Sequence, residues 1–139
     1  MRVEKLDEDL HLFRGEAYDS GSLAVLAGDR ALLIDGLASV EDARELRRTL
    51  VDDWGKTVAL CVSTHFFSDH MAAWNLFPEA DLLAHVDAVQ TFRSEQFRTP
   101  EEAAHFRPPT RLLSGRLELA WGRFRIEIFE CPGHTPDAL

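Results

Sequence analysis

Four side chains that can bind a transition metal lie in two short loops of this chain. His65, Asp69 and His70 share one loop, and His134 lies in another loop near the far end of the sequence. Imidazole nitrogens and carboxylate oxygens are ligands that zinc, iron and manganese take in proteins. The residue types therefore predict a metal site if the fold brings the loops together. By spacing alone the signal is weak, and a surface loop in which Asp69 caps the following helix is the more common arrangement.

Each of the two loops follows a predicted strand. Residues 58–62 form a continuous apolar run, which is typical of a strand buried on both faces. The strand pattern of residues 31–34 precedes it and leads into a helical period that begins at the capping residue Ser39. This β-α-β order predicts an α/β layered domain with at least one parallel pair of strands. Loops at one edge of such a sheet can bring their side chains to a shared centre.

The remaining elements are predicted to be short. The pattern indicates strands over residues 10–14, 23–27 and 82–84, and helices over residues 70–76 and 85–97. Thr99, Pro100 and Glu102 form a strong helix start, with a cap, a proline and a glutamate in the preferred positions. Residues 116–129 alternate in polarity and turn at Gly122, which predicts a β-hairpin.

The composition is that of one globular domain. A chain of 139 residues with 45% hydrophobic and 28% charged residues can bury a core but is too short for two ordinary domains. The formal charge of −9 disfavours nucleic acid and membrane partners, and no apolar run is long enough to span a bilayer. Cys61 and Cys131 form no disulfide framework, and the first residues contain no apolar signal core. We therefore expect a cytoplasmic protein with a small-molecule substrate.

Three motifs resemble those of the metallo-β-lactamase superfamily. Residues 63–70 resemble its His-x-His-x-Asp-His loop, and residues 131–136 resemble its Pro-Gly-His-Thr turn. Residues 32–36 resemble the strand and the Asp-Gly turn that precede the first helix of the family. The motifs come in the family's order within residues 10–139. The resemblance implies a metallo-β-lactamase-like αββα sandwich, an α/β fold with one or two metal ions at the sheet edges.

The resemblance also implies a function and residue roles. The family mostly hydrolyses ester, amide, thioester or phosphoester bonds with a metal-activated water, and some members are oxidative. The implied cofactor is zinc, with iron or manganese as alternatives, and the implied ligands are His65, Asp69, His70 and His134. Asp69 would also orient the water or accept its proton. Asp35 would be a hydrogen-bond acceptor outside the ligand shell, although a plain turn residue explains it equally.

Two departures from the family pattern shape the expectation for the site. Phe67 occupies the position of the second histidine, whose side chain would point the same way as that of His65 in an extended loop. The chain also ends soon after His134, before the second half of the family's fold. We therefore expect residues 1–139 to be a single, C-terminally incomplete domain that binds at most one metal ion, and loosely. The alternative function is a metal-poor or truncated relative that serves as a non-catalytic binding or assembly module.

The predicted hairpin suggests self-association. Its two strands carry six alternating apolar residues: Leu117, Leu119, Trp121, Phe124, Ile126 and Ile128. In the full family the second half of the fold covers the inner sheet face, and here these residues would face water as a contiguous stripe. Monomers rarely expose such a patch. We therefore expect a homodimer, or a larger homo-oligomer, in which the inner face of one chain covers that of its twin.

Overall fold

A seven-stranded sheet forms the centre of the structure, a computed structural model that describes residues 1–139. Its strands lie in chain order: β1 (Arg2–Asp7), β2 (Leu10–Arg14), β3 (Gly21–Ala27), β4 (Arg30–Ile34), β5 (Thr57–Val62), β6 (Asp81–His85) and β7 (Arg111–Leu113). Strands β1 to β4 are antiparallel neighbours, and β4 to β7 run parallel. A two-stranded sheet of β8 (Arg116–Trp121) and β9 (Phe124–Phe129) packs on one face, and the helices cover the other.

The helices are few and short. They are α1 (Val40–Arg47), which continues as a π-helix over Arg48–Asp53, α2 (Ala88–Ser94) and α3 (Pro100–Ala103). Three 3₁₀ turns occupy Ala17–Asp19, Ser68–His70 and Trp74–Leu76. The hydroxyl of Ser39 caps α1, and Thr99 and Glu102 form the capping box of α3, as their sequence predicts. None of these helices has the length and apolar character needed to cross a membrane.

Alternate residues of the central strands enter two separate cores. Leu33 of β4 lies in the core between the large sheet and the helices, whereas Leu32 lies in the core between the large sheet and the hairpin. The same alternation places Leu82 and Leu83 of β6 in different cores. Because both faces are covered, the central residues of these strands are apolar, which confirms the predicted strand over residues 58–62 and the α/β layering.

The predicted helix over residues 70–76 is wrong, since two 3₁₀ turns take its place. The His70 carbonyl accepts a hydrogen bond from the Gly36 amide at 2.7 Å, and the Ala73 amide donates to the Gly36 carbonyl at 2.8 Å. These bonds tie the segment to the turn after β4 in place of a continuous helical ladder. A Cβ atom at Gly36 would lie 3.1 Å from the His70 carbonyl oxygen, so the close approach favours glycine.

The sequence pattern does not reveal the two edge strands, β1 and β7, and α2 is shorter than the helix predicted for this segment. β1 is mostly exposed and charged, and β7 has only three residues, so neither shows the alternation that indicates a strand. The predicted helix over residues 85–97 is confined to α2. His85 instead completes β6, where it pairs with Leu113 of β7.

The hairpin packs on the large sheet, so the predicted water-exposed stripe is wrong. Its six apolar residues share one face because they lie opposite each other in three cross-strand pairs, Leu117 with Ile128, Leu119 with Ile126 and Trp121 with Phe124. Trp121 is buried, and its indole N–H donates to the Val25 carbonyl at 2.9 Å. At the turn, Gly122 with φ +57° approaches Ala27 so closely that a Cβ would lie 3.0 Å from the alanine Cβ.

A homodimer remains a prediction, which now depends on the part of the large sheet that the hairpin leaves uncovered. The hairpin covers only part of the large sheet, so Leu10, Leu23 and Ile34 stay half-buried beside it. An apolar pocket of about 310 Å³ lies between Ile34 and Ile126. Because a fully buried Leu or Ile side chain gains roughly 1.5–3 kcal/mol, we expect a second copy to cover this region. Light scattering at micromolar concentration should give twice the 15.7 kDa chain mass, and a folded monomer would contradict the prediction.

Candidate metal centre

The ends of β4 and β5 position the candidate site. The two strands are parallel, and Ile34 at the end of β4 is in register with Val62 at the end of β5. Asp35 and the loop that starts at Ser63 therefore leave the sheet at the same edge, where the Asp35 amide donates to the Val62 carbonyl at 2.9 Å. Asp35 has φ +62°, a left-handed conformation that Asp tolerates better than most residues. In this conformation its Oδ1 accepts a hydrogen bond from the Thr64 amide at 2.8 Å.

The Asp35 carboxylate determines which nitrogen each neighbouring histidine presents. Its Oδ2 accepts hydrogen bonds from the Thr64 hydroxyl at 2.7 Å and from Nδ1 of His70 at 2.9 Å. Since the Thr64 hydroxyl donates to Asp35, its oxygen can only accept from Nδ1 of His65, 3.1 Å away. Both neutral imidazoles thus carry their hydrogen on Nδ1 and leave Nε2 as a lone-pair donor.

The two histidines differ in their affinity for a proton. Burial, together with the charge of the adjacent His70, lowers the pKa of His65. Burial also disfavours the charged form of His70, but the hydrogen bond and the charge of Asp35 outweigh it and raise the pKa of His70. His65 is therefore the more readily available neutral ligand of the two, because a metal ion binds only the unprotonated nitrogen.

Three of the predicted ligands form a compact cluster. One ligand atom each from His65, Asp69 and His70 lies within 4.8 Å of the others, and Nε2 of His70 is 3.7 Å from Oδ2 of Asp69. Nε2 of His65 is buried without a hydrogen-bond partner, a costly state for a polar atom that a bound cation would relieve. Zinc–nitrogen and zinc–oxygen bonds are about 2.0–2.2 Å long, so one ion fits this cluster after a small contraction.

Phe67 and His134 surround His65 with two further rings. The ring centroids lie 5.4 Å apart for His65 and Phe67, 5.0 Å for His65 and His134, and 5.5 Å for Phe67 and His134. His134 is exposed and lies beside the three-residue cluster rather than within it. The structure therefore brings all four predicted ligands together and places Phe67 at the third corner of a triangle with two imidazoles. Their role as ligands stays a prediction.

Asp137 joins the segment of His134 to the metal loop. It is buried, and its Oδ2 accepts a hydrogen bond from the Phe66 amide at 2.9 Å. A second contact follows, in which the Leu139 amide donates to the Thr64 carbonyl at 2.8 Å. The sequence carries no signal for this role, because an aspartate after a proline is also an ordinary turn residue.

We predict that Asp137→Ala lowers the free energy of unfolding by about 1–3 kcal/mol, because it leaves the buried Phe66 amide without an acceptor. Hydrogen exchange at that amide should accelerate as well. Asp137→Asn retains an acceptor oxygen and serves as the matched control, with a smaller loss in urea unfolding. Equal losses for the two variants would contradict the assigned bond.

Ser68, the residue before Asp69, is fixed by contacts to Glu95 and His105. The Glu95 carboxylate accepts from the Ser68 amide at 3.1 Å and from the Ser68 hydroxyl at 2.7 Å, and Nδ1 of His105 lies 3.1 Å from the Ser68 carbonyl oxygen. Glu95 and His105 lie 27 and 37 residues from Ser68, so no local pattern could reveal them. The segment that contains α2 and α3 thereby positions the loop of the metal cluster.

The comparison with known proteins finds similarity in structure. Neither family models nor curated proteins match the sequence. The class B3 di-zinc metallo-beta-lactamase LRA-12 from an Alaskan soil metagenome aligns with a TM-score of 0.76 at 20% identity. A metallo-beta-lactamase from Pontibacter korlensis aligns with a TM-score of 0.75 at 18% identity, and DIM-1 metallo-beta-lactamase with 0.74 at 23%.

These matches involve nearly all of this chain but only part of the other proteins. Each covers 99% of this chain, against 55% of LRA-12, 62% of DIM-1 and 64% of the Pontibacter korlensis protein. The chain thus spans less than two thirds of the length of each, and at these identities the likeness concerns the fold. The chain has the metallo-β-lactamase fold, in a part that contains the seven-stranded sheet, its helices and one hairpin of a second sheet.

Proposed function

We propose that the protein is a metal-dependent hydrolase in which His65, Asp69 and His70 hold one zinc ion, with His134 beside them. Two observations carry the proposal: Nε2 of His65 is buried without a hydrogen-bond partner, and one ligand atom each from His65, Asp69 and His70 lies within 4.8 Å of the others. Two imidazoles and a carboxylate are a donor set of catalytic zinc sites, and iron and manganese are the alternatives. The likeness to metallo-beta-lactamases in fold supports the same function.

Each residue of the site has a separate task in this proposal. When bound, the metal would supply a water of lowered pKa and a Lewis acid for an ester, amide, thioester or phosphoester bond. In the neutral rings, Asp35 directs the hydrogen to Nδ1, through Thr64 for His65 and directly for His70, and this leaves Nε2 of both histidines for the metal. The half-buried Asp69 lines the adjacent pocket, where its carboxylate can orient a water or accept its proton.

Asp69→Asn tests the proposal. The purified chain is titrated with zinc against a chelator and assayed with nitrophenyl ester, thioester, anilide and phosphodiester substrates. We expect zinc-dependent hydrolysis of at least one of them, and a loss of at least about tenfold in both zinc affinity and rate for Asp69→Asn. Asp52→Asn, at an exposed aspartate of the π-helical segment, is the matched control. Absence of zinc binding, or wild-type zinc affinity in Asp69→Asn, would refute the proposal.

We predict that the chain binds at most one transition-metal ion, and loosely. Two separate pockets would each require three or more protein ligands, but only His65, Asp69, His70 and His134 are at hand. Elemental analysis after zinc loading and desalting measures the stoichiometry. Two tightly held equivalents per chain would contradict the prediction.

Phe67 favours a second candidate function, a metal-poor binding or assembly module. The Phe67 ring lies beside both His65 and His134 but has no lone pair to offer a metal ion. The site therefore lacks the third imidazole that a histidine at this position would supply. Metal content separates the two functions. A folded chain that neither retains zinc nor hydrolyses any substrate would favour the module.

The proposal also includes a small-molecule substrate and a cytoplasmic location. The net charge of −9 disfavours nucleic acid and anionic membranes as partners. Cys61 and Cys131 are both free, and burial raises the pKa of Cys61 to about 12, which keeps this thiol unreactive. Free thiols are typical of proteins in a reducing compartment.

A further inference from the structure

A pocket of about 490 Å³ opens directly beside the candidate metal centre. Asp69 and Phe67 line it, as does the segment from Ser94 to Thr99 between α2 and α3. Two large aromatic residues in its lining are unusually accessible, with Tyr18 75% and Phe97 94% exposed. Aromatic side chains left in water around one cavity are typical of a binding site.

The backbone that presents Tyr18 is strained. Tyr18 and Asp19 have φ values of +56° and +51° in the 3₁₀ turn between β2 and β3. A bulky residue rarely adopts this left-handed conformation, because its side chain crowds the backbone there. Because the Tyr18 ring is mostly exposed, core packing does not explain the strain.

The pocket lining is acidic. The carboxylates of Asp69, Glu95 and Glu102 line it, and Arg98 is its only basic residue. Arg98 is occupied within the protein, because its guanidinium lies 4.1 Å from the centre of the Phe92 ring, donates to the Phe92 carbonyl and is 4.0 Å from Glu95. No cation lining the pocket is therefore free to pair with an anionic ligand. A metal ion at Asp69 would neutralise that carboxylate, and Glu95 is already bonded to Ser68 and lies beside Arg98. Glu102 is then the carboxylate that remains for a ligand, with one hydrogen bond from the Thr99 amide.

We infer that this pocket binds the ammonium end of a cationic small-molecule substrate. Aromatic rings attract cations through their electron-rich faces, and rings combined with carboxylates suit quaternary ammonium groups. Three rings, of Tyr18, Phe67 and Phe97, line the same pocket as the carboxylates. In the metal-free protein, an anion would lose hydration there without gaining a partner. The inference rests on the proposed function for the reacting end of the substrate, which would lie at Asp69.

Three matched probes test the preference: benzyltrimethylammonium, phenylacetamide and phenylacetate. Their binding to the metal-free protein is measured by NMR titration, because phenylacetate could bind a zinc ion at Asp69 through its carboxylate. We expect the cation to bind at least about tenfold more tightly than the anion, with phenylacetamide between them and amide shifts in residues 94–99. The preference should shrink as salt is added, since the carboxylates are partly exposed to solvent.

Two substitutions localise the binding. Phe97→Ala should weaken cation binding roughly two- to fivefold, the loss expected for one exposed cation–π contact. Glu102→Gln should weaken it as well, and its amide oxygen can still accept from the Thr99 amide in the capping box. Phe129→Ala is the matched control, because Phe129 is an exposed phenylalanine of the hairpin that lies outside this pocket.

The outcomes separate this inference from the proposed function. Cation binding that needs Phe97 and Glu102 supports the inference even if no substrate is hydrolysed, in which case the hydrolase proposal alone fails. Zinc-dependent hydrolysis combined with tighter binding of phenylacetate than of the cation by the metal-free protein overturns the inference alone. Absence of binding by all three probes, or cation binding unaffected by Phe97→Ala and Glu102→Gln, also overturns it.

Discussion

Asp35→Asn should lower the affinity for zinc by about 10–100-fold, although Asp35 is not among the expected ligands. The carboxylate accepts hydrogen bonds from the Thr64 amide, the Thr64 hydroxyl and His70, and through them it sets the free nitrogens of His65 and His70. An amide group has only one acceptor oxygen for these three donors, so one histidine loses its orientation. Zinc titration against a chromophoric chelator measures the change.

Asp42→Asn is the control for this prediction. Asp42 is a buried carboxylate like Asp35, but it accepts from the Glu16 amide and the Ser39 hydroxyl at the start of α1, each at 2.9 Å. Its substitution should reduce the free energy of unfolding and leave zinc affinity unchanged. An equal loss of zinc affinity in both variants would mean that Asp35 acts only through general stability.

Phe67→His should raise zinc affinity by at least about tenfold, which corresponds to 1.4 kcal/mol of binding free energy. The Phe67 ring lies 5.4 Å from the His65 ring and 5.5 Å from the His134 ring, so an imidazole at this position would complete a face of three histidines. Three histidines are a sufficient protein ligand set for a catalytic zinc ion. Competition with a chelator, as for Asp35→Asn, gives the affinity.

Two further variants give this prediction its control. Phe129→His places an imidazole on the exposed hairpin, away from the site, and should leave zinc affinity unchanged. The double variant Phe67→His, His134→Ala should lose most of the gain in zinc affinity, because it again offers only two of the three histidines. A gain that survives the loss of His134 would show that the new imidazole binds zinc in another arrangement.

Elements with local signals were predictable from the sequence. Ser39 and the helical period after it predicted α1, and the apolar run of residues 58–62 predicted β5. The capping box at Thr99 predicted α3, and the alternation around Gly122 predicted the hairpin. Each signal lies within a few residues of the element it describes, so the order β-α-β and the resemblance of its loops sufficed for the fold. The helix predicted over residues 70–76 was wrong, because the backbone of this segment forms hydrogen bonds to a distant turn at Gly36.

The sequence by itself determined the residue types of the candidate metal site and the fold, whereas only the tertiary structure decided how the site is arranged. Asp35 contacts His70 across 35 residues, and Asp137 holds Phe66 across 71. The structure also decided that the hairpin packs on the large sheet, where Trp121 bonds to Val25 across 96 residues. A local pattern cannot encode such partners, because their contact depends on how whole strands pair and stack.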